Sequence, residues 1–227
     1  MKKWSLVLMM SAMALGVRAQ EQEAPRFRIV VNGGYSYRVG KLPSGFSGET
    51  RDYMKKLKSG FNIGADVQYY FNDSWGIGLK YLRFQSSGSA VIPVETPDGR
   101  VRAATSDNIG ISFYGPTFLG RVYTTKDNSQ AFIIGASLGY MRYKDNGKVA
   151  AYPVVITGGT VGSGVDVGYD IRIARKLYAG AQISYFAGSL SKYTIEQGNQ
   201  TTTRDLKDDE RENLSHLSIS AGLRFHL

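Results

Sequence analysis

The sequence holds no cysteine, only two histidines and only six prolines in 227 residues. Without cysteine there are no disulfides, no thiolate-bound metal and no lipid on an N-terminal cysteine, so packing and hydrogen bonds must hold the fold. The two histidines, His216 and His226, do not make a metal site, and no cofactor is expected. Pro93, Pro97 and Pro116 fall where they weaken regular strand pairing. Beyond the N-terminus no apolar run reaches about eighteen residues, which excludes a membrane-crossing helix. Lys and Arg number 28 against 19 Asp and Glu, a formal net charge of +9. No basic-aromatic motif accompanies the excess, and the charges scatter, so nucleic acid is not expected as a partner.

What is present begins with an export signal. Lys2 and Lys3 precede an apolar stretch from Trp4 to Leu15, and Val17-Arg18-Ala19 places small residues at the cleavage positions. A signal peptide over residues 1–19 and a mature chain from Gln20 are expected. Lys2, Lys3 and Arg18 then leave with the signal.

The last stretch, Asn213 to Leu227, sets the theme for the rest. From Leu217 every second residue is apolar (Leu217, Ile219, Ala221, Leu223, Phe225, Leu227), with Ser218, Ser220, Gly222, Arg224 and His226 between. A period of two is a strand with one apolar and one polar face. The same alternation predicts seven further strands: Arg26–Val39, Gly60–Phe71, Trp75–Phe84, Ile109–Tyr123, Ala131–Tyr143, Ser163–Ile173 and Leu177–Gly188. In the fourth, Ile111, Phe113 and Leu119 are expected outward, although Tyr114, Phe118 and Val122 blur the pattern. Connections alternate in length. Asn72–Ser74, Thr124–Gln130 and Ala174–Lys176 are short and polar, whereas Lys41–Lys58, Gln85–Asn108, Lys144–Gly162 and Ser189–Glu212 are long and expected to be loops. Val154-Val155-Ile156 also leaves room for the flanking strands to run beyond a membrane.

Eight strands joined by alternating short turns and long loops are the pattern of an outer-membrane barrel, whose apolar faces look out at lipid. Aromatic residues fall at both ends of the apolar faces. Phe27, Phe71, Trp75, Tyr123, Phe132 and Phe225 sit at the short-turn end. Tyr37, Phe61, Tyr81, Phe113, Tyr140 and Tyr185 sit at the long-loop end. Two aromatic bands around an aliphatic one read as interfacial girdles.

With its signal, its eight alternating strands and its terminal Leu223-Arg224-Phe225-His226-Leu227, the chain resembles the small OmpA/OmpX-type outer-membrane barrels. The resemblance implies an all-β fold over residues 20–227: an eight-stranded antiparallel up-and-down transmembrane β-barrel in the bacterial outer membrane. It also implies a monomer that meets the secretion and barrel-assembly machinery during biogenesis, and outer-membrane lipid and lipopolysaccharide thereafter. Phe225 and Leu227 are the expected assembly signal, Phe225 also a girdle residue. The terminal Leu departs from the family's commoner Phe. The peptidoglycan-binding second domain of the two-domain members is not expected.

An eight-stranded barrel is just wide enough for side chains to fill it. Tyr70, Tyr114, Phe118, Tyr143, Tyr178 and Phe186 are expected inside, beside many glycines. Inward charges should pair, since an unpaired buried charge is costly. Arg28, Asp66, Asp166, Asp170, Arg172 and Arg224 are the ion-pair candidates, with Arg38 and Lys80 also inward. His216-Leu217-Ser218 resembles the His-x-Ser spacing of outer-membrane lipid A deacylases, with Glu210 or Glu212 as the only acids to hand. Among the loops, Lys41–Lys58 carries Arg51, Lys55, Lys56 and Lys58, a set able to meet lipopolysaccharide phosphates. The reading is a non-enzymatic barrel with a filled lumen and four external loops for structural or binding roles. A lipid A-modifying enzyme using His216 and Ser218, or a narrow porin-like channel, are the alternatives.

Overall fold

The computed structural model describes residues 25–40, 48–96, 99–150, 152–208 and 210–227. The expected signal over 1–19 lies outside the described residues. In chain order the elements are β1 (Phe27–Arg38), α1 (Gly48–Leu57), β2 (Ser59–Tyr70), β3 (Trp75–Thr96), β4 (Gly99–Tyr123), β5 (Gln130–Val149) and β6 (Tyr152–Ala174). After them come β7 (Leu177–Ala187), β8 (Ser189–Leu190), β9 (Lys192–Gln197), β10 (Gln200–Asp205), β11 (Glu212–Asn213) and β12 (His216–His226).

From β1 to β7 each barrel strand pairs antiparallel with the next. The ring closes because β12 pairs with β7 on one side and β1 on the other. The closing seam runs from Arg28↔His226 to Arg38↔His216, and two bonds of 3.0 and 2.8 Å between the backbones of Phe27 and Leu227 continue it. Glycines let the two backbones coil closely there: a Cβ at Gly34 would stand 2.0 Å from the Ile219 carbonyl oxygen. The result is the all-β, eight-stranded antiparallel up-and-down barrel, with no open edge in its wall. Among the described residues no helix is long and apolar enough to cross a membrane.

The wall is apolar outside. Ile63, Val67, Ile77, Leu79, Val165, Val167, Ile183 and Ile219 all stand exposed. In water such a surface would aggregate; in lipid it is the solvated face. Because every wall hydrogen bond is internal, the folded state is expected to resist detergent. An unboiled sample should run differently from a boiled one on a detergent gel and be β-rich in micelles; a protein that is folded and monomeric without detergent would refute the membrane reading.

Four expectations need correction. The Lys41–Lys58 segment is not all loop: residues 41–47 lie outside the described residues, and Gly48–Leu57 is α1. Glu49 in its first turn and Lys55 and Lys56 in its last suit the helix dipole, and Tyr53 and Leu57, four apart, are its buried face.

The long connections are not loops either. β3 and β4 run on as one hairpin to Thr96↔Gly99, where Gly99 has φ +119°. Pro93 is tolerated because β3 leaves β2 after Gln85 and becomes an edge. β5 and β6 extend to Val149↔Tyr152 too, the extension for which Val154-Val155-Ile156 leaves room. Within Ser189–Glu212, β9 and β10 form a hairpin, β9 adds to β6 from Val154↔Gln197 to Gly158↔Tyr193, and β8 pairs with β11.

The phase of β4 is the reverse of that expected. Ile111, Phe113 and Leu119 are buried inside, while Tyr114, Phe118 and Val122 face out at 46%, 50% and 59% exposure. The lumen is apolar at the height of Ile111 and Phe113, so both faces of β4 are apolar and alternation alone cannot orient it. The girdles change accordingly. Phe113 packs on Phe186 inside, with ring centres 4.8 Å apart, and Tyr123 lies against Arg121. Tyr114 joins the loop-end band, and Phe118 stacks on Trp75 at 5.3 Å at the turn end.

Finally, Arg172 does not face the enclosed lumen. It is half-buried at the turn-side rim and pairs with Asp127 at 2.7 Å.

Candidate functional site

Three regions hold the chemistry of the molecule: a polar lower lumen, an apolar upper lumen, and a sheet rising beyond the barrel. The period of two brings the first together. Every second residue of neighbouring strands points inward, and antiparallel register sets them at common heights.

Near the turn end, Asp170 of β6 is fully buried and gathers three bases. Arg28 of β1 donates to its Oδ2 at 2.8 Å, Arg224 Nε of β12 lies 3.1 Å from Oδ1, and the His226 imidazole stands 3.4 Å away. Arg28 also donates to Gln68 Oε1 at 2.7 Å, and Arg224 to the Gly180 carbonyl at 2.6 Å. Arg121 sits beneath, over the Tyr70 ring at 3.8 Å, donating to the Asp73 and Pro25 carbonyls.

Higher up, Lys80 of β3 stands between two carboxylates, Asp66 at 3.0 Å and Asp166 at 3.2 Å. Gln182 donates to Asp166 at 3.1 Å. Next comes a chain of neutral groups: Ser220 donates to Asn62, Asn62 donates to Ser36, and the Ser36 and Ser218 hydroxyls are 2.6 Å apart. The structure therefore brings Arg28, Asp170 and Arg224 into one cluster, and Asp66 and Asp166 into another through Lys80.

Above Ser218 the lumen turns apolar. Leu82, Phe84, Ile111, Phe113, Met141, Phe186, Leu190 and Leu214 form one buried cluster, closed by Tyr53 and Leu57 of α1. His216 belongs to it, between Phe84 and Phe186 at ring distances of 5.7 and 5.1 Å. Its Nδ1 is 2.9 Å from the Leu214 carbonyl. Ser218, two residues on, is bonded to Ser36 instead. Glu210 pairs with Arg204, and Glu212 with Arg38. The His-x-Ser spacing thus gives no Ser-His-acid relay here.

Beyond Tyr140, β5 stands clear of the membrane, since its next outward residues are the exposed Arg142 and Lys144. There Asp145 is buried inside the wall near Asp107, which accepts a 2.5 Å bond from Tyr53. Burial first, and the Asp107 charge second, push the Asp145 carboxyl up to about 6. Between the ordinary carboxylate range and pH 6 the folded protein holds a proton that the unfolded chain has released. Stability therefore falls as pH rises through that window and stays lower above it. Asp145→Asn is expected to stabilise the barrel at pH 7.5, by at most about 3 kcal/mol. The gain should vanish near pH 4, and urea midpoints at the two pH values check both.

Sequence reasoning missed Arg121, because its strand was given the wrong phase, and with it Ile111 and Phe113 of the apolar upper lumen, although Tyr143 and Phe186 were expected inside. Tyr53 and Leu57 were available as an apolar pair at helical spacing in a basic segment.

The third region is the external sheet. β3 to β6 continue above the loop-end tyrosines, and β9 and β10 lengthen the sheet sideways. β10 ends it: Gln200 to Asp205 are all exposed, and among the described residues no strand pairs with their far side.

Comparison with known proteins agrees with this architecture. The sequence pattern of a family described as outer membrane protein beta-barrel domain matches residues 5–225. No curated protein matches the chain. Among solved structures, it is similar to Neisserial surface protein A, with 15% identity, 88% of this chain and 97% of that one covered, and a TM-score of 0.54. It is also similar to a major outer membrane protein from Thermus thermophilus, with 8% identity, coverage of 90% and 100%, and a TM-score of 0.53. At such identities the likeness concerns the fold.

Proposed function

The chain belongs to the outer membrane protein beta-barrel domain family, and from that premise we propose that it is a non-enzymatic, plugged barrel whose work is done by the sheet above the membrane. The observation that carries this reading is the filling of the lumen at two levels. Salt-bridged groups occupy the turn-side half, and an apolar cluster under α1 occupies the loop-side half. A solute crossing would have to break buried ion pairs and then enter a dry, packed layer. What the barrel offers instead is a rigid post for an external sheet with a free edge at β10. An exposed edge presents unpaired N–H and C=O groups in a fixed row, the surface onto which an extended polypeptide adds as a further strand. The partner class proposed is such an extended segment of another protein, with the barrel itself a monomer.

The lipid A-modifying alternative would need Ser218 activated by His216. The bond from Ser218 to Ser36 and the apolar packing around His216 weigh against it. A narrow channel would need a continuous wet path, which the cluster under α1 interrupts.

Two assays on one reconstituted preparation test the reading. In planar bilayers the pure protein should give no large, steady conductance. Incubated with labelled lipid A it should release no acyl chain, and Ser218→Ala should behave the same. Porin-like current, or acyl release lost in Ser218→Ala, would overturn it.

A further inference from the structure

One wall of the barrel carries three cations without partners, at the height where lipid headgroups begin. Tyr81, Tyr114 and Tyr140 lie side by side on β3, β4 and β5 in the register Tyr81↔Tyr114 and Tyr114↔Tyr140, all facing out. The Tyr114 and Tyr140 rings are 5.6 Å apart. Two residues farther from the membrane on each strand, the next outward rank reads Arg83, Ser112, Arg142, again in register. The rank after it ends at Lys144. At about 3.3 Å per residue these ranks lie roughly 7 and 13 Å along the tilted strands from the tyrosines, and two strand spacings put the arginine backbones about 10 Å apart.

Arg83, Arg142 and Lys144 are exposed, and none has a hydrogen bond or ion pair among the described residues. No acidic side chain shares these ranks. The surface between them is cut low. Arg83 lies across Gly110, whose Cβ would be 3.1 Å from its guanidinium. The Tyr140 hydroxyl leans over Gly159, where a Cβ would fall 1.7 Å from the phenol oxygen. Because Gly159 pairs with Arg142, that glycine lets the hydroxyl reach the arginine rank. On β1, β2 and β7 the outward positions two residues beyond Tyr37, Phe61 and Tyr185 hold Val39, Ser59 and Ala187, while the neighbouring Lys58 places its ammonium over the Tyr37 ring at 4.9 Å. The exposed cations of α1, Arg51, Lys55 and Lys56, sit on the helix that closes the lumen and do not belong to this wall.

Unpaired guanidinium forks above a tyrosine band match phosphate held at a membrane surface. We infer that Arg83, Arg142 and Lys144, with Tyr140, form a site for the phosphates of a bisphosphorylated glycolipid in the leaflet on the loop side. Two arginines about 10 Å apart suit a headgroup with a phosphate at each end of a disaccharide. A soluble anion would gain nothing from the tyrosines, whereas a lipid places its sugar and upper acyl chains on them. The inference is independent of what the external sheet binds.

The test is a titration of the refolded barrel, in neutral micelles, with fluorescent bisphosphorylated lipid A. Competitors are its dephosphorylated form, phosphatidylglycerol and inorganic phosphate. With each basic residue near an anionic surface contributing about 1 kcal/mol, the R83Q/R142Q/K144Q variant should bind about a hundredfold more weakly. R142Q alone should lose about fivefold by the same arithmetic, and serves if the triple variant shows no folded band on an unboiled gel. Dephosphorylated lipid should bind wild type no better than the intact lipid binds the triple variant, and the other competitors should displace poorly. Equal affinity of wild type and the glutamine variants overturns the site. So does equal competition by phosphatidylglycerol or inorganic phosphate, which would make the wall a general anion surface.

Discussion

Deletion of Leu217–Leu227 is expected to leave no heat-modifiable protein in outer-membrane fractions. The segment is nearly all of β12, which bonds to β7 along one side and to β1 along the other. Without it both neighbours present a row of unpaired backbone groups to hydrocarbon, each costing several kcal/mol with no water to relieve it. The deletion also removes Arg224 and His226 from Asp170, and Phe225 and Leu227, the proposed assembly signal. Trimming Thr201–Lys207 makes the informative contrast. It takes away most of β10, which pairs only with β9 outside the barrel ring, so inserted protein should persist at near wild-type amount. Phe225→Ala should fall between, reducing the amount inserted more than the stability of what inserts. The measurement is the heat-modifiable band for all three variants. Equal bands from the terminal and the loop deletions would mean that β12 does not close the barrel.

The second large effect is expected at Asp170. Its carboxylate answers two guanidinium groups, and all three side chains are buried. Asp170→Ala leaves Arg28 and Arg224 facing each other without an anion, and the loss should approach the roughly 3–5 kcal/mol seen when one partner of a buried pair is removed. Asp170→Asn should recover little, since it restores shape without charge. The double variant Arg28→Leu with Asp170→Leu should lose less than Asp170→Ala, because one stranded cation goes with the anion. Lys80→Ala makes the opposite case, stranding Asp66 and Asp166 together. Urea midpoints of refolded protein decide: Asp170→Ala unfolding like wild type would show that water reaches the cluster and screens it. Arg172→Ala, in the same series, should change little, because its partner Asp127 sits at the exposed rim.

How far the sequence led depends on where water and lipid impose a difference between the two faces of a strand. In β1, β2, β12 and the membrane part of β6 the outer face is apolar and the inner face mostly polar or small, so alternation alone gave both fold and orientation. Arg28, Asp66, Asp166, Asp170 and Arg224 could be read as inward for that reason. β4 was misread because Ile111 and Phe113 enter an apolar layer of the lumen while Tyr114 and Phe118 face outward; with both faces apolar, the pattern carries no sign. Arg121 was lost with it. The extended hairpins were misread for the opposite cause. Above the membrane both faces of β3 and β4 can be polar, so polarity there does not separate strand from loop. Pairings such as Asp66 with Lys80, or Arg28 with Asp170 across 142 residues of chain, depend on register, which no local pattern specifies.

The closing seam has a bearing on time as well as on strength. Each of the other wall ladders joins strands linked by a turn, a hairpin extension or a helix-bearing connection, except β7–β12, which spans the β8–β11 segment. The last ladder joins Phe27 to Leu227, about two hundred residues apart. Its contacts can reward the chain only after everything between has been ordered, so the entropic cost of long-range closure collects in one late step. Up to that moment β1 waits as an open edge, and the earliest part of the barrel is the last to be protected. The life of that unclosed species, set by rates and not by the depth of the final well, governs how much chain is lost to proteases and mispairing on the way.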